Sequence, residues 1–211
     1  MSFDVDVRKR LGRHLIEARF LAPAGLTLLS GPSGAGKTSV LNMMAGLLRP
    51  DEGHVTIAGD MLFDAAKAID RPAYRRRLGY VFQDGRLFPH LRVRANLLYG
   101  YRLVLPEDRW MSLEAVVSFL GIEHLLSRWP HSLSGGEAQR VAIGRALLSG
   151  ARALLMDEPL ASIDPARRNE IIDVILRVRD ELGLPIVYVT HNPAEADRLA
   201  THRVEISPSF L

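Results

Sequence analysis

Alternation of apolar and polar residues marks the first segment of the chain. Phe3, Val5 and Val7 alternate with Asp4 and Asp6, and Ile16, Ala18 and Phe20 alternate with Glu17 and Arg19. A period of two on either side of Gly12 predicts an antiparallel hairpin with one buried face. His54 to Ala58 and Met61 to Phe63, joined by Gly59-Asp60, predict a second pair, so an antiparallel β layer is expected. Leu26 to Leu29, Ala153 to Met156 and Ile186 to Val189 read differently: they are apolar with almost no polar interruption, as strands buried on both faces of a parallel sheet are. Between the last two, Asp164 can cap a helix, Pro165 suits its first turn, and Ile171, Ile175, Val178 and Leu182 repeat at helical spacing up to Gly183. Strand, helix, strand implies a right-handed crossover. From about 84 to 152 the pattern is helical in pieces, for example Leu113 to Leu120 before Gly121, with a break at Trp129-Pro130. This predicts a helical insertion.

The chain has 211 residues, 47% apolar and 24% charged, enough for one compact domain. Lys+Arg 27 against Asp+Glu 24 leaves a net charge of +3 spread along the sequence, which argues against a nucleic-acid partner. The absence of cysteine excludes disulfides and thiolate metal sites. No apolar run approaches the roughly 18 residues that span a bilayer, and Met1 to Asp6 carries no secretory signal pattern.

Chemistry enters at Gly31-Pro32-Ser33-Gly34-Ala35-Gly36-Lys37-Thr38-Ser39, which fits G-x-x-x-x-G-K-[ST] between a buried strand and a helical stretch with Val40, Leu41 and Met44. Backbone N–H groups and a helix N-terminus would cradle phosphate, Lys37 would reach the β and γ phosphates, and Thr38 would place its hydroxyl on Mg²⁺. Ala153 to Met156 ends in Asp157-Glu158-Pro159. Carboxylates at that strand end are placed to hold Mg²⁺ (Asp157) and to act as general base toward water (Glu158). Ile186 to Val189 likewise delivers His191.

Leu133-Ser134-Gly135-Gly136-Glu137-Ala138-Gln139-Arg140 resembles the signature motif of ATP-binding cassette (ABC) ATPases. Tyr80-Val81-Phe82-Gln83 resembles the family's Q-loop, Leu160 to Asp164 its D-loop, and His191 its switch histidine, all in the family's order. Ser134-x-x-Glu137 also has the spacing of a capping box. The resemblance implies an α/β P-loop NTPase (RecA-like) fold: a parallel-sheet core with an antiparallel β subdomain and a helical subdomain. Residues 1–82 and 153–211 would form the core and about 84–152 the helical insertion, ending in the signature helix. It implies Mg²⁺-dependent ATP hydrolysis, with Lys37, Gln83, Glu158 and His191 catalytic, Thr38, Gln83 and Asp157 at the metal, and nucleotide contacts from Gly31 to Ser39, Ser134 to Glu137 and Asp164. Two cassettes would pair head to tail, each signature closing on the partner's phosphates.

Arg76 to Leu91, followed by Val93 to Leu97, is similar to importer ATPases, those for molybdate in particular; sulfate, thiamine and polyamine importers share much of it. Transmembrane permease subunits, a second copy of the chain and, indirectly, a periplasmic or extracellular solute-binding protein are the implied partners. The implied location is peripheral, on the cytoplasmic face of the inner membrane. A P-loop small-molecule kinase would share Lys37 and Thr38 but has no use for a signature motif, and the coiled-coil arms or tandem cassettes of ABC proteins acting on DNA or ribosomes are missing. Three departures stand out. Glu137 replaces the commoner glutamine. The chain ends about twenty residues after His191, without the C-terminal regulatory domain that related importers often carry. Where the family usually places an aromatic residue to stack on adenine, Asp6 to Leu11 has none; a guanidinium such as Arg8 or Arg10 can stack there instead, with Phe3 or another side chain as the alternative.

Overall fold

The computed structural model describes residues 1–207 and the backbone of 209–210. Its elements, in chain order, are β1 (Phe3–Leu11), β2 (His14–Ala22), β3 (Leu26–Ser30), α1 (Lys37–Ala45), β4 (Glu52–Ile57), β5 (Asp60–Asp64), β6 (Ile69–Asp70), β7 (Leu78–Val81), α2 (Val93–Tyr101), α3 (Leu113–Leu120), α4 (Gly135–Leu148), β8 (Ala153–Asp157), α5 (Pro165–Asp180), β9 (Ile186–Val189), α6 (Pro193–Leu199), β10 (His202–Glu205) and β11 (Ser209–Phe210).

Two sheets result. One is parallel throughout, in the order β10-β3-β9-β8-β7, and the other is antiparallel, in the order β11-β2-β1-β4-β5-β6. Both faces of the parallel sheet are covered, which accounts for its uninterrupted apolar runs. On β8, Ala153 and Leu155 face one core while Leu154 and Met156 face the other; on β9, Val187 and Val189 oppose Ile186 and Tyr188. The first core joins the two sheets through α1, where Val40, Leu41, Met43 and Met44 meet Phe3, Val5 and Val7. The second joins the parallel sheet to α2, α3, α4 and α5. Residues 84–152 contribute helices and no strand. Their packing is close: a β-carbon at Gly144 on α4 would lie 2.9 Å from both Leu97 and Leu120.

The hairpin about Gly12 and the three buried strands lie where the periodicity puts them. Other boundaries move. The β4–β5 turn is Ala58-Gly59, with Asp60 already paired to Ile57, because Ala58 takes the left-handed conformation (φ 51°) that a two-residue hairpin turn needs. Helix α5 ends at Asp180, short of Gly183, and Leu182 packs on the core from beyond the helix. The edge strands β7 and β10 lack the continuous apolar run of the central strands, and the pattern does not announce them.

Candidate functional site

The P-loop leaves the carboxyl end of β3, buried from Leu26 to Leu29, and enters α1 at Lys37. Gly36 is in the left-handed region (φ 90°), and a β-carbon there would sit 2.9 Å from the Ile16 side chain, so a larger residue would be strained and crowded at once. The Lys37 ammonium donates to the carbonyls of Gly31 and Pro32, each at 2.9 Å, which holds it at the centre of the cradle. Burial lowers its pKa, against the pull of the Glu158 and Asp157 charges.

Strands β8 and β9 are neighbours, with Asp157 opposite Val189, so their ends deliver two carboxylates and an imidazole side by side. The Thr38 hydroxyl donates to Asp157 Oδ1 at 3.1 Å. The Tyr80 hydroxyl, with one proton to give, lies 3.2 Å from Asn42 Oδ1 and 3.5 Å from Asp157 Oδ2. Burial raises the Asp157 carboxyl above the ordinary range, and the Glu158 charge adds to that, while the hydrogen bonds from Thr38 and Tyr80 oppose it. Glu158 leaves the strand at φ 46°, strained for a residue with a side chain, and is held there by its N–H bond to Val189 O at 3.0 Å. Its Oε1 lies 2.8 Å from His191 Nε2. A cleft of about 480 Å³ is lined by Ser33, Gly34, Gly36, Lys37, Thr38 and Ser39 together with Glu158, His191 and three residues of the β1–β2 hairpin, Leu11, His14 and Ile16.

The signature residues lie elsewhere. Ser134 caps α4 in a complete capping box: its N–H donates to Glu137 Oε2 at 2.7 Å, and the Glu137 N–H donates to Ser134 Oγ at 3.3 Å. The bond from the Ser134 N–H holds the Glu137 carboxyl below its usual range, with Arg128 and His124 adding to the effect at 3.6 and 3.9 Å. Ser134, Gly136 and Glu137 line a depression of about 290 Å³ with His124, Arg140 and Arg167, and it shares no residue with the P-loop cleft. Asp164, exposed, caps α5 by accepting from the Ala166 N–H at 2.9 Å. The loop before it abuts the signature, with Ser162 O 3.2 Å from where a Gly135 β-carbon would be.

Gln83 follows β7 and is exposed; its side chain is not among those lining the P-loop cleft. Arg8 and Arg10 are not either. Arg8 is turned to Glu17 and Glu52, at 2.7 and 3.5 Å, and the backbone N–H of Arg10 donates to Asp51. The hairpin strands carry their alternate residues to opposite faces, and it is Leu11, His14 and Ile16, around the turn, that reach the cleft. Tyr80 was visible only as part of a motif. Nothing in the sequence signals its proximity to Asp157, 77 positions away.

Among the described residues no group of three or more His, Asp and Glu side chains could hold a metal ion. The Thr38 hydroxyl touching the Asp157 carboxylate nonetheless fits Mg²⁺, which typically takes one or two protein oxygens and completes its shell with phosphate oxygens and water.

Comparison with known proteins agrees with this arrangement. Residues 20–161 match the ABC transporter family model. The molybdenum import ATP-binding protein ModC of Paramagnetospirillum magneticum is 54% identical over 197 residues, which cover 93% of this chain and 54% of that protein. ModC of Mesorhizobium japonicum is 53% identical over 98% of this chain and 56% of its own length. The chain thus spans about half the length of the curated relatives it matches. Among solved structures, the post-hydrolysis dimer of the ATP-binding cassette MJ0796 bound to ADP and Pi superposes with a TM-score of 0.75 at 25% identity, covering 100% of this chain and 98% of that one. CbiO1 from Clostridium perfringens, part of the transporter complex cbiONQ, shares the fold with a TM-score of 0.80 at 24% identity, covering 99% and 86%. The phosphate cradle, the separate capped helix and these likenesses point the same way: the chain belongs to the ABC transporter family.

Proposed function

We propose that the chain is the ATP-hydrolysing subunit of an importer for molybdate or a related oxyanion. One observation carries the enzymatic part: the P-loop, Glu158 and His191 line a single cleft, with Glu158 Oε1 and His191 Nε2 2.8 Å apart. Backbone N–H groups and Lys37 would grip the phosphates of ATP. Glu158 would orient water toward the γ phosphate and accept its proton as the O–P bond forms and ADP leaves with the bridging oxygen. His191 would hold that carboxylate in place while its imidazole faces the same phosphate. Thr38 and Asp157 would hold Mg²⁺, which neutralises charge on the β and γ phosphates when bound.

The signature depression would close over the phosphates of a second copy, since it shares no residue with the chain's own P-loop cleft. Gln83 would enter the site on that closure, and Asp164 would face the partner. The choice of molybdate rests on the ModC relatives, more than half identical over nearly all of this chain. No helix among the described residues is long and apolar enough to cross a membrane. A permease would supply the passage, hold the chain at the cytoplasmic face, and receive solute from a binding protein. Its docking place would be the cleft of about 770 Å³ between residues 70–77 and 103–108, which bears the exposed Tyr74, Leu103 and Leu105 and shares no residue with the P-loop cleft. Reconstitution with its permease in vesicles tests the reading: ATP-driven accumulation of molybdate over sulfate is expected, and failure to release phosphate from ATP and Mg²⁺ overturns it.

A further inference from the structure

Glu195 is a charged side chain in the first turn of α6 with only 5% of its surface exposed. A buried carboxylate is retained only when its lone pairs and charge are met. Here the partners come from the end of β9 and from α5. The Thr190 hydroxyl donates to Glu195 Oε2 at 2.7 Å, and the hydroxyl of Tyr188, itself fully buried, donates to the same oxygen at 3.1 Å. Thr190 Oγ1 in turn accepts the Asn192 N–H at 3.1 Å. The residues on both sides of His191 are therefore tied to one carboxylate, while the imidazole itself stays half exposed in the nucleotide cleft.

The other oxygen looks the opposite way. Glu195 Oε1 faces the Arg168 guanidinium at 4.0 Å, and Arg168 Nε donates at 3.1 Å to the carbonyl of Ile163, the residue before Asp164. A chain of contacts thus runs from the loop of His191, through Glu195 and Arg168, to the loop of Asp164.

We infer that Glu195 and Arg168 are positioning residues linking the His191 loop to the Asp164 loop, so that the state of one nucleotide cleft is passed to the surface offered to the second copy. The link rests on the hydrolytic and dimeric reading above. It needs no contact between either residue and the nucleotide, and neither lines the P-loop cleft. Two loops have many conformations open to them, and a shared contact between a buried carboxylate and a half-buried guanidinium lets them change together rather than independently.

The test uses Glu195→Gln, whose amide oxygen can still accept from Thr190 and Tyr188 but no longer attracts Arg168, and Arg168→Ala, which removes the other end. Steady-state ATPase rates across ATP concentration give kcat, KM and the Hill coefficient, and thermal melting reports folding. Glu195→Gln is expected to melt near wild type and Arg168→Ala, which leaves the buried carboxylate without its cation, below it; each should lose about tenfold in kcat with KM within about twofold, and lose cooperativity. The double variant should be no worse than either single one, because both cut the same link. Arg168→Lys, which keeps the charge, should recover part of the rate. Wild-type kcat and cooperativity in Glu195→Gln, a loss confined to KM, or multiplicative losses in the double variant would each overturn the link while leaving the hydrolytic reading intact. A wild-type chain that shows no ATP turnover would overturn the hydrolytic reading and the link with it.

Discussion

The P-loop cleft and the signature depression both present helix N-termini, yet they are built in different ways. The P-loop is wedged between two sheets. Its cleft gathers residues from the P-loop, α1, the β1–β2 hairpin and the positions just past β8 and β9, among them a buried lysine and a strained glutamate, and Asp157, whose pKa burial raises, is the residue before that glutamate. The signature is a local device, in which Ser134 and Glu137 cap one helix and the acid lies beside His124 and the Arg128 guanidinium. Concentrated like charge and strained backbone oppose folding and become useful when a phosphate and a metal arrive. The capped helix costs nothing of that kind. The groups proposed for hydrolysis are thus placed where tertiary packing can hold them, and the helix end proposed to meet a second copy is satisfied by its own cap.

The largest effect should come from the strained side of this comparison. Glu158→Gln keeps the shape and removes the base, so turnover should fall by roughly 10²–10⁴-fold with ATP still bound, and the variant should accumulate as an ATP-bound dimer by light scattering. Near-normal phosphate release would remove Glu158 from its role. Next, Lys37→Ala and Ser134→Arg chains should each be inactive alone, because one lacks the cradle and the other blocks its partner's. Mixed in equal amounts, random pairing leaves one intact composite site in half of the dimers, so about a quarter of wild-type turnover is expected. Wild-type rates in either chain alone would mean that the two pockets do not complete each other.

Base recognition should be a smaller effect. Leu11, His14 and Ile16 can offer a π face and apolar contact to a base but no selective reading of its edge, and stacking is worth about 1–3 kcal/mol. GTP is expected to support kcat/KM within roughly tenfold of ATP, with His14→Ala weakening both. A hundredfold preference for ATP that survives His14→Ala would assign base recognition to another group.

Smaller still are the effects on stability, which should have opposite signs in the two pockets. Glu137→Ala breaks the capping box and should destabilise the chain by about 1 kcal/mol in chemical denaturation, whereas Glu137→Gln should be milder. Asp157→Asn should stabilise it. The folded-state pKa of Asp157 lies above its unfolded value, so the native state gains from protonation at low pH and loses that advantage as pH rises through the folded pKa. At pH 7 the asparagine avoids the loss and Tm should rise, with the gain disappearing below the unfolded value of about 3.9. A destabilised Asp157→Asn would show that the Thr38 and Tyr80 hydrogen bonds outweigh the burial of the charge.

What could be read along the chain was whatever depends on neighbours in sequence. Consecutive apolar residues announced the strands buried on both faces, Ser134-x-x-Glu137 announced its own cap, Asp164-Pro165 announced the start of α5, and the glycines about Lys37 announced a phosphate cradle. Each is a local competition among backbone conformations, settled within a turn or a strand. The tertiary structure decided which distant groups meet. It brought His191 to Glu158 across adjacent strands and Tyr80 to Asp157 across 77 positions, sent Arg8 to Glu17 and Glu52, and buried Glu195 against the end of β9 and α5. Such contacts follow from strand order and from which face of a hairpin turns inward. No local pattern encodes them, because their free energy is gained only when the sheets and helices have packed.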